Sequence, residues 1–225
     1  MTGVQAYSLP IYGPAGSGKS TTAKYVAEIL GFIHINTGAM YRGIALKCIQ
    51  DDINMENSSQ LNHLLAHTKF KFEKEGGSTL FMDGVDISAD LASVQVTNFV
   101  SQVSAISEVR EKLVQYQRDM ADGLDVVLEG RDIGTVVFPN AEHKFFLVAD
   151  IHERARRRKK EMEANGEVVS LEELTSEMEE RDRKDTTRRH SPLKKAEDAV
   201  KIDTTGLSIE EQVNHIVEIV NKTIK

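Results

Sequence analysis

Apolar positions along the chain follow two different periods. Short apolar runs of strand length occur at 8–12, 32–35, 126–129, 144–149 and 199–203. Between them, helices are predicted at 19–30, 40–50, 106–121, 151–164, 171–183 and 209–222. In the first of these, apolar residues at 23, 26, 27 and 30 have the spacing of a helix that buries one face. Alternating strands and helices are typical of a parallel sheet covered by helices. The pattern therefore predicts an α/β fold with a central five-stranded parallel sheet.

Local signals support several of these boundaries. Gly31 follows the helix predicted from residue 19 and should end it. Two capping boxes, each a serine followed three positions later by a glutamate, begin the helices near 170 and 208. Pro10 is in conflict with the pattern, because a proline cannot donate to the hydrogen-bond ladder of a central strand.

Two segments interrupt the alternation. Residues 69–72 and 79–82 are short strand-like runs separated by Gly76-Gly77, and Asp83-Gly84 offers a second tight turn. We expect a small antiparallel insertion there. Residues 179–195 carry charge at nearly every position before Ser191-Pro192, which predicts a mobile, solvated cover.

Size and charge narrow the possibilities. A chain of 225 residues suits one compact domain with insertions. The net charge of −7 argues against a nucleic-acid-binding protein, because such proteins usually present a basic face. The segment 151–195 nevertheless holds 13 Lys and Arg against 11 Asp and Glu, which suggests a local anion site.

The compartment is predicted from what the sequence lacks. No apolar run is long enough to span a bilayer, and no leader pattern precedes Tyr7, so we expect a cytoplasmic protein that does not bind membranes. Cys48 is the single cysteine; it excludes an internal disulfide, and its apolar surroundings predict a buried thiol. The seven histidines show no metal-ligand spacing.

A phosphate-binding loop follows the first predicted strand. Residues Gly13 to Ser20 spell Gly-Pro-Ala-Gly-Ser-Gly-Lys-Ser, which fits the pattern Gly-x-x-x-x-Gly-Lys-Ser/Thr. In such loops the backbone N–H groups bind phosphate oxygens, a lysine (here Lys19) reaches the β- and γ-phosphates, and a hydroxyl (here Ser20) ligates Mg²⁺. The loop lies between a strand and a helix, as the motif requires. It predicts binding of a nucleoside triphosphate.

The loop alone does not identify the reaction. No guanine-recognition motif of the Asn/Thr-Lys-x-Asp type occurs, which weighs against a GTPase. Arg42 and Arg131 each follow a predicted strand, and ligands of open parallel sheets bind at the carboxyl ends of the strands. Since arginine binds phosphate oxygens bidentately, both are candidates for the phosphate of a second substrate, although a surface ion pair is the ordinary alternative for each.

Longer motifs surround these arginines. Asn36-Thr37-Gly38-Ala39-Met40-Tyr41-Arg42 follows the second strand, and the eleven residues from Glu129 to Pro139, Glu-Gly-Arg-Asp-Ile-Gly-Thr-Val-Val-Phe-Pro, follow the third. Together with the phosphate loop, they resemble the bacterial cytidylate kinases of the nucleoside monophosphate kinase family. Residues 181–188 look like that family's lid, and the hairpin around Gly76-Gly77 is similar to its insertion. The likeness runs from about residue 8 to residue 222.

The resemblance implies a three-layer phosphate-loop fold with an insertion that binds the monophosphate and a helical lid. It divides a single kinase domain, 1–225, into a core (about 1–58, 100–152 and 195–225), the insertion (about 59–99) and the lid (about 153–194). It also implies that ATP, with Mg²⁺, phosphorylates CMP, and dCMP as well, giving ADP and the diphosphate, in pyrimidine nucleotide metabolism.

The resemblance also assigns residues to roles. The catalytic candidates are Lys19, Arg131, Arg181 and Arg188. ATP is expected at Gly13, Pro14, Ala15, Gly16, Ser17, Gly18, Lys19, Ser20 and Thr21, with Ser20 on the metal. CMP is expected at Thr37, Arg42, Ser101, Arg110, Gly130, Arg131, Asp132, Arg181, Asp185 and Arg188. For Arg110, the residues alone favour a solvated helical face, and the resemblance favours CMP binding.

The sequence departs from the family pattern near the loop. Tyr12 and Asn36 stand where the family usually has aspartate, and Glu129 stands where many relatives have aspartate. We assign no side-chain contact to Tyr12. Arg154, Arg157 and Arg158 form a basic run, for which a solvated helical face is favoured over contact with the donor nucleotide.

Alternatives remain open at this stage. Another acceptor, above all UMP, differs too little from CMP for the sequence to separate the two. A binding protein that holds ATP as a switch is a different class, but it leaves the acceptor-side arginines unexplained. A monomer is the expected state, because no predicted helix or strand shows an unpaired apolar face.

Overall fold

The computed structural model describes residues 6–72, 79–164 and 166–223. The chain divides into two compact units, Met1–Ile33 with Gly123–Lys225 and His34–Asp122. Residues 34–58 and 100–122 thus group with the insertion at 59–99 in the second unit. The functional division into core, insertion and lid stays a prediction.

The central sheet is parallel, and four of its five strands lie wholly in the first unit. Strands and helices are numbered in chain order, and the five strands are β1 (Ser8–Tyr12), β2 (Ile33–Asn36), β6 (Val126–Gly130), β7 (Phe145–Val148) and β8 (Val200–Asp203). Only the first residue of β2 belongs to the first unit. The sheet order is β2-β6-β1-β7-β8. The α-helices of the first unit are α1 (Lys19–Leu30), α6 (Ile151–Ala164), α7 (Leu171–Thr187) and α8 (Ile209–Asn221). The predicted five-stranded parallel sheet is confirmed.

Helices α1 and α8 cover the sheet with the apolar faces that their periodicity predicts. Val26 of α1 and Ile216 of α8 are fully buried in one cluster with Ile11 and Leu147 of the sheet. Ser208 begins α8 with a complete capping box, in which its side chain accepts the Glu211 N–H and the Glu211 carboxylate accepts the Ser208 N–H. At Ser170, only the first of the two capping bonds is present.

Pro10 is accommodated because of the direction in which its nitrogen points. Val126 N–H donates to Tyr7 O, and Gly13 N–H donates to Gly130 O, so the odd-numbered residues of β1 face β6. Backbone groups alternate in direction along a strand, and Pro10 therefore faces β7. Pairing with β7 starts only at Ile11, and the missing donor costs no ladder bond.

The second unit contains helices and a small antiparallel sheet. Its helices are α2 (Thr37–Gln50), α3 (Ser58–His67), α4 (Val94–Val103) and α5 (Ser107–Ala121), and its strands are β3 (Phe70–Phe72), β4 (Leu80–Met82) and β5 (Val85–Asp86) in the order β3-β4-β5. The antiparallel insertion is confirmed. Asp83 and Gly84, with φ of 52° and 86°, form the turn between β4 and β5. Gly76-Gly77 lies outside the described residues.

Helix boundaries differ from the prediction where polar side chains decide them. Helix α2 begins at Thr37 and not at residue 40, because the Asn36 side chain accepts the Ala39 N–H at 3.0 Å and caps the helix. Helix α3 was not predicted, since only Leu61, Leu64 and Leu65 give it a buried face. Cys48 is buried in α2 as expected, and burial raises the pKa of its thiol to about 11.

The expectation of a mobile, solvated cover at 179–195 is wrong for part of that segment. Helix α7 continues to Thr187, four residues beyond the predicted end. Asp185 is 9% exposed, and Leu193, whose N–H donates to Asp185 O, is 6% exposed. Two carboxylates of the segment pair with arginines within the unit, Asp182 with Arg154 and Asp185 with Arg131 and Arg188. Among the described residues, no helix is both long and apolar enough to cross a membrane.

Candidate active site

The phosphate loop connects β1 to α1 in the first unit. Gly13 N–H donates to Gly130 O at 3.2 Å, which places the start of the loop beside the carboxyl end of β6. Helix α1 begins at Lys19, so the last two residues of the motif form the start of the helix. The first N–H groups of a helix have no partner within the helix and carry partial positive charge. The loop and the start of α1 therefore form a backbone anion site.

Lys19 is buried beneath the loop. Its ammonium donates to Pro14 O at 3.2 Å. Burial lowers the pKa of Lys19 to about 7, and the charges of Arg131 and Arg181 act in the same direction, while Glu129 opposes them. A bound anion at this position would favour the charged ammonium. Lys19 is therefore prepared to take up a proton when phosphate binds.

Ser20 forms a hydrogen bond with Glu129. The Ser20 hydroxyl donates to the Glu129 carboxylate, which is 2% exposed at the carboxyl end of β6. A hydroxyl and a carboxylate are the hard oxygen donors that Mg²⁺ prefers. Within the described residues, no group of three or more His, Cys, Asp and Glu is placed to hold a metal ion. The pair therefore fits a metal that also takes phosphate oxygens and waters as ligands.

Asp185 joins two of the predicted arginines in the first unit. Arg131 Nε donates to Asp185 Oδ2 at 3.0 Å, and Arg188 Nη1 lies 3.4 Å from Asp185 Oδ1. Arg188 Nε also donates to Ser191 O at 2.7 Å. Two guanidinium groups are thereby held on either side of one carboxylate, which suits the recognition of a second anionic group.

The other predicted residues of this unit lie on the same elements. Gly130 is the last residue of β6, and Asp132, which is 4% exposed, accepts the Val136 N–H at 2.8 Å through its carbonyl. Arg181 lies half-buried on α7, close enough to Lys19 for its charge to lower the lysine pKa. The structure thus gathers six of the ten expected CMP residues and the ATP residues in one unit.

Arg42 belongs to the second unit, together with Thr37, Ser101 and Arg110. Its Nη1 donates to Leu91 O and to Thr97 Oγ1, each at 2.9 Å. Thr97 lies on α4, so α2 and α4 together fix the direction of the guanidinium. Thr37 is buried as the first residue of α2, and Ser101 lies half-buried on α4.

Arg110 is not on a solvated face. It is 4% exposed, its Nη1 donates to Ser104 O at 3.0 Å, and its guanidinium lies 5.3 Å from the centre of the Tyr41 ring. A cation over an aromatic face is held by the charge distribution of the ring. The solvated alternative for Arg110 is therefore wrong.

The basic run on α6 has three different environments. Arg154 is buried and contacts the phosphate loop, donating to Ala15 O at 3.1 Å. Arg157 donates to Thr204 Oγ1 at 3.1 Å and to Thr204 O at 2.6 Å. Only Arg158, paired with Glu161 on the outside, fits a solvated helical face. The interpretation of the run as solvated is wrong for Arg154 and Arg157.

Tyr12 also has side-chain contacts, contrary to the expectation. Its hydroxyl accepts the Ala196 N–H at 2.9 Å, and its ring meets Phe146 edge-on with centroids 5.2 Å apart. A methyl group at Gly134 would lie 2.5 Å from the Tyr12 ring, so the ring requires a glycine there. Tyr12 therefore anchors the segment that leads from α7 to β8.

Several residues that shape the site were not predicted from the sequence. The sequence did contain a signal for Glu129, because this residue ends a predicted strand that precedes a site motif. It contained no signal for the contacts of Thr97, Tyr41 and Thr204, because their partners Arg42, Arg110 and Ser17 lie 55, 69 and 187 residues away in the chain.

Comparisons with known proteins agree along the whole chain. The family model described as "Cytidylate kinase" matches residues 9–222. A cytidylate kinase of Pediococcus pentosaceus is 46% identical over 97% of each chain, and one of Desulforamulus reducens is 49% identical over 95% of this chain and 96% of its own. An uncharacterized protein from Eubacterium ventriosum, known from a crystal structure, shares the fold with a TM-score of 0.53 at 13% identity, covering 96% of this chain and 98% of its own.

Proposed function

Because the chain belongs to the cytidylate kinase family, we propose that it transfers the γ-phosphoryl group of ATP to CMP, giving ADP and CDP. The family model and the two relatives cover nearly the whole chain, which supports a kinase of this type. The structural observation that supports the proposal best is the grouping of Lys19 with Arg131, Asp185 and Arg188 in one unit. This grouping supports the proposal that a site for the donor phosphates adjoins one for the acceptor phosphate, as transfer between two phosphates requires.

The donor triphosphate is proposed to bind along the loop. The loop from Gly13 to Thr21 would surround the β- and γ-phosphates, mainly through the N–H groups from Ala15 onward, because Pro14 has no N–H and that of Gly13 donates to Gly130 O. Lys19 would neutralise charge that develops on the transferred group. Since Lys19 is buried, its ammonium would act where water does not screen it. The loop thus supplies both binding energy and electrostatic stabilisation.

The acceptor CMP is proposed to bind the residues that the family resemblance assigns to it. In the first unit these are Gly130, Arg131, Asp132, Arg181, Asp185 and Arg188; in the second they are Thr37, Arg42, Ser101 and Arg110. Arg42 and Arg131 would bind oxygens of the acceptor phosphate, and Thr37 would add a hydroxyl contact there. The base and sugar would be bound by Ser101, Arg110, Asp132, Asp185 and Arg188, with Arg181 near the ribose. No general base is required, because the oxygen of a monophosphate is already an anionic nucleophile. The protein's task is to align two anions and neutralise their charge.

Magnesium is proposed to complete the donor site. Ser20 would be its protein ligand, and Glu129 would hold the Ser20 hydroxyl and attract the waters of the ion. When bound, Mg²⁺ neutralises charge on the β- and γ-phosphates. The lid, proposed at 153–194, would bring Arg181 and Arg188 to the phosphates and exclude water. We further propose that the enzyme is a cytoplasmic monomer that also accepts dCMP.

A coupled assay of ADP release tests the function. ATP with Mg²⁺ is supplied with CMP, dCMP, UMP or AMP, and the expected result is turnover with CMP and dCMP at least about tenfold more efficient than with UMP or AMP, a difference of ~1.4 kcal/mol. Equal efficiency with UMP would refute the acceptor assignment. ATP binding without any monophosphate-dependent ADP release would indicate a nucleotide-responsive switch. Arg131→Ala should nearly abolish turnover in a folded protein, and Arg183→Ala, which changes an exposed residue of α7 paired with Glu180, is its control.

A further inference from the structure

Side chains outside the motif donate hydrogen bonds to carbonyl groups of the phosphate loop. In a trans peptide the C=O of one residue and the N–H of the next lie in one plane and point in opposite directions. A donor that holds Ala15 O therefore fixes the direction of Gly16 N–H, and one that holds Ser17 O fixes Gly18 N–H. Pro14 O is held within the motif, by Ser17 Oγ at 3.0 Å and by Lys19 Nζ.

Arg154 holds the carbonyl of Ala15. Its Nη1 donates to Ala15 O at 3.1 Å, its Nε donates to Ala149 O at 3.0 Å, and Nη1 lies 2.7 Å from Asp182 Oδ2. The Arg154 side chain is 8% exposed. One guanidinium thus connects the end of β7, the phosphate loop and α7, on which Arg181 and Asp185 also lie.

Thr204 holds the carbonyl of Ser17. Its hydroxyl is fully buried, 3.0 Å from Ser17 O and 3.1 Å from Val148 O. Arg157 donates to Thr204 Oγ1, and Val148 O already accepts the Thr204 N–H at 2.8 Å, so we take Ser17 O as the acceptor of the hydroxyl hydrogen. Arg154 thus bonds the loop directly, and Arg157, three positions later on α6, bonds Thr204, which contacts the loop.

The loop packs directly on these helices. A methyl group at Gly16 would lie 3.0 Å from Met178 Cε and 3.1 Å from Arg154 Cβ, and Gly16 has φ of 72°. Ala15 adjoins a small apolar cluster formed by Ala155, Leu174 and Met178 of α6 and α7. The loop cannot move outward from its anion site without disturbing α6 or α7.

We propose that Arg154 and Thr204 are positioning residues, which aim the N–H groups of Gly16 and Gly18 at the phosphates of the donor. The proposal rests on the proposed function only in that the loop binds a polyphosphate. Neither side chain needs to touch the nucleotide. Without them the loop peptides can rotate, and part of the binding energy is lost in ordering them.

Binding measurements test the proposal. The variants are Arg154→Met and Thr204→Val, which remove the donors and keep the approximate shape. The controls are Arg156→Met, a 64% exposed arginine of the same helix that pairs only with Glu153 among the described residues, and Thr205→Val, which changes the exposed neighbour of Thr204. The probes are ATP and inorganic tripolyphosphate, titrated by calorimetry at a temperature at which circular dichroism shows each variant folded.

Arg154→Met should weaken both probes by the same factor, about 10- to 30-fold, and Thr204→Val by about 3- to 10-fold, where tenfold corresponds to ~1.4 kcal/mol. Both controls should remain within about twofold of the parent protein. In assays at saturating ATP, the KM for CMP should change less than about threefold in either variant. Arg154→Lys should recover only part of the affinity, because one ammonium cannot hold three acceptors at these distances.

A purely structural role predicts a different result. Folded Arg154→Met would then lose thermal stability but bind tripolyphosphate like the parent protein, and that outcome overturns the proposal. If Arg154→Met does not fold, Thr204→Val decides, and parental affinity in that variant also overturns it. A parent protein that binds tripolyphosphate and does not phosphorylate CMP would refute the proposed function and leave this inference intact.

Discussion

Arg131 Nε donates to Asp185 Oδ2 at 3.0 Å, which ties the carboxyl end of β6 to α7. The two side chains are only 19% and 12% exposed, so the pair is shielded from water on most sides. Arg188 shares the same carboxylate. Asp185 therefore fixes two cationic groups before any nucleotide binds, and its loss should affect both stability and the recognition of the acceptor.

Asp185→Asn tests this relationship. The amide keeps the shape and removes the negative charge that holds the two guanidinium groups. We expect kcat/KM for CMP to fall about 10- to 100-fold, equivalent to ~1.4–2.7 kcal/mol. The free energy of unfolding should fall by about 1–2 kcal/mol, less than for a fully buried pair because the site is partly exposed. Denaturant titration and steady-state kinetics measure the two effects. Glu180→Gln, on the exposed side of α7, should change neither; unchanged kinetics in Asp185→Asn would contradict the assignment.

Lys19 should take up a proton when ATP binds. Its pKa of about 7 in the ligand-free protein, lowered mainly by burial, means that most molecules carry a neutral Lys19 at pH 8. Bound phosphate favours the ammonium, so the pKa rises on binding and a proton is taken up. The expected uptake attributable to Lys19 is about 0.9 protons at pH 8 and about 0.1 at pH 6.

Calorimetry in buffers of different ionisation enthalpy measures this uptake. Lys19→Arg is the matched control, because arginine stays charged and contributes no proton. The difference between the parent protein and this variant isolates Lys19 from protonation of ATP itself. An identical uptake in both proteins at pH 8 would show that Lys19 is already charged in the ligand-free state.

Gly134→Ala should destabilise the first unit through the ring of Tyr12. The new methyl group would meet that ring at 2.5 Å, closer than carbon atoms approach, and overpacking of this kind costs about 2–3 kcal/mol. Tyr12→Leu should relieve the clash, so the two substitutions together should cost less than the sum of their separate effects. Thermal and chemical unfolding of the four proteins in the cycle give the coupling. Additive effects would mean that the Tyr12 ring does not restrict position 134.

Much of the fold could be predicted from local pattern. The bounds of α1 and α6 match the prediction. The first and last residues of each of the five parallel strands lie within one or two residues of the ends of the predicted apolar run. Helix ends that are set by a capping side chain were harder to predict. Asn36 makes α2 begin earlier than predicted through one side-chain hydrogen bond, and that bond depends on the local backbone conformation. Helices α3 and α4 lay in segments whose apolar positions were too few, or too continuous with the next helix, to mark their ends.

The candidate site likewise contains residues that could be predicted from the sequence and residues that could not. The phosphate loop was recognisable because its ligands are contiguous backbone groups, and the assignment of Arg131 and Asp132 followed from the motif that contains them. Arg154, Arg157 and Tyr12 were misjudged, since each is defined by a partner that is distant in sequence. Ala15 is 139 residues from Arg154, and Ala196 is 184 residues from Tyr12.

The sequence by itself determined that this protein has a phosphate loop on a parallel sheet and that arginines follow its strands, because periodicity and motif geometry are properties of neighbouring residues. Only the tertiary structure decided which charges are buried and which carbonyl each of them holds. A guanidinium on a helix has the same sequence signal whether it faces water or a loop peptide. Burial and distance, which set the strength of its interaction, exist only after the chain has folded.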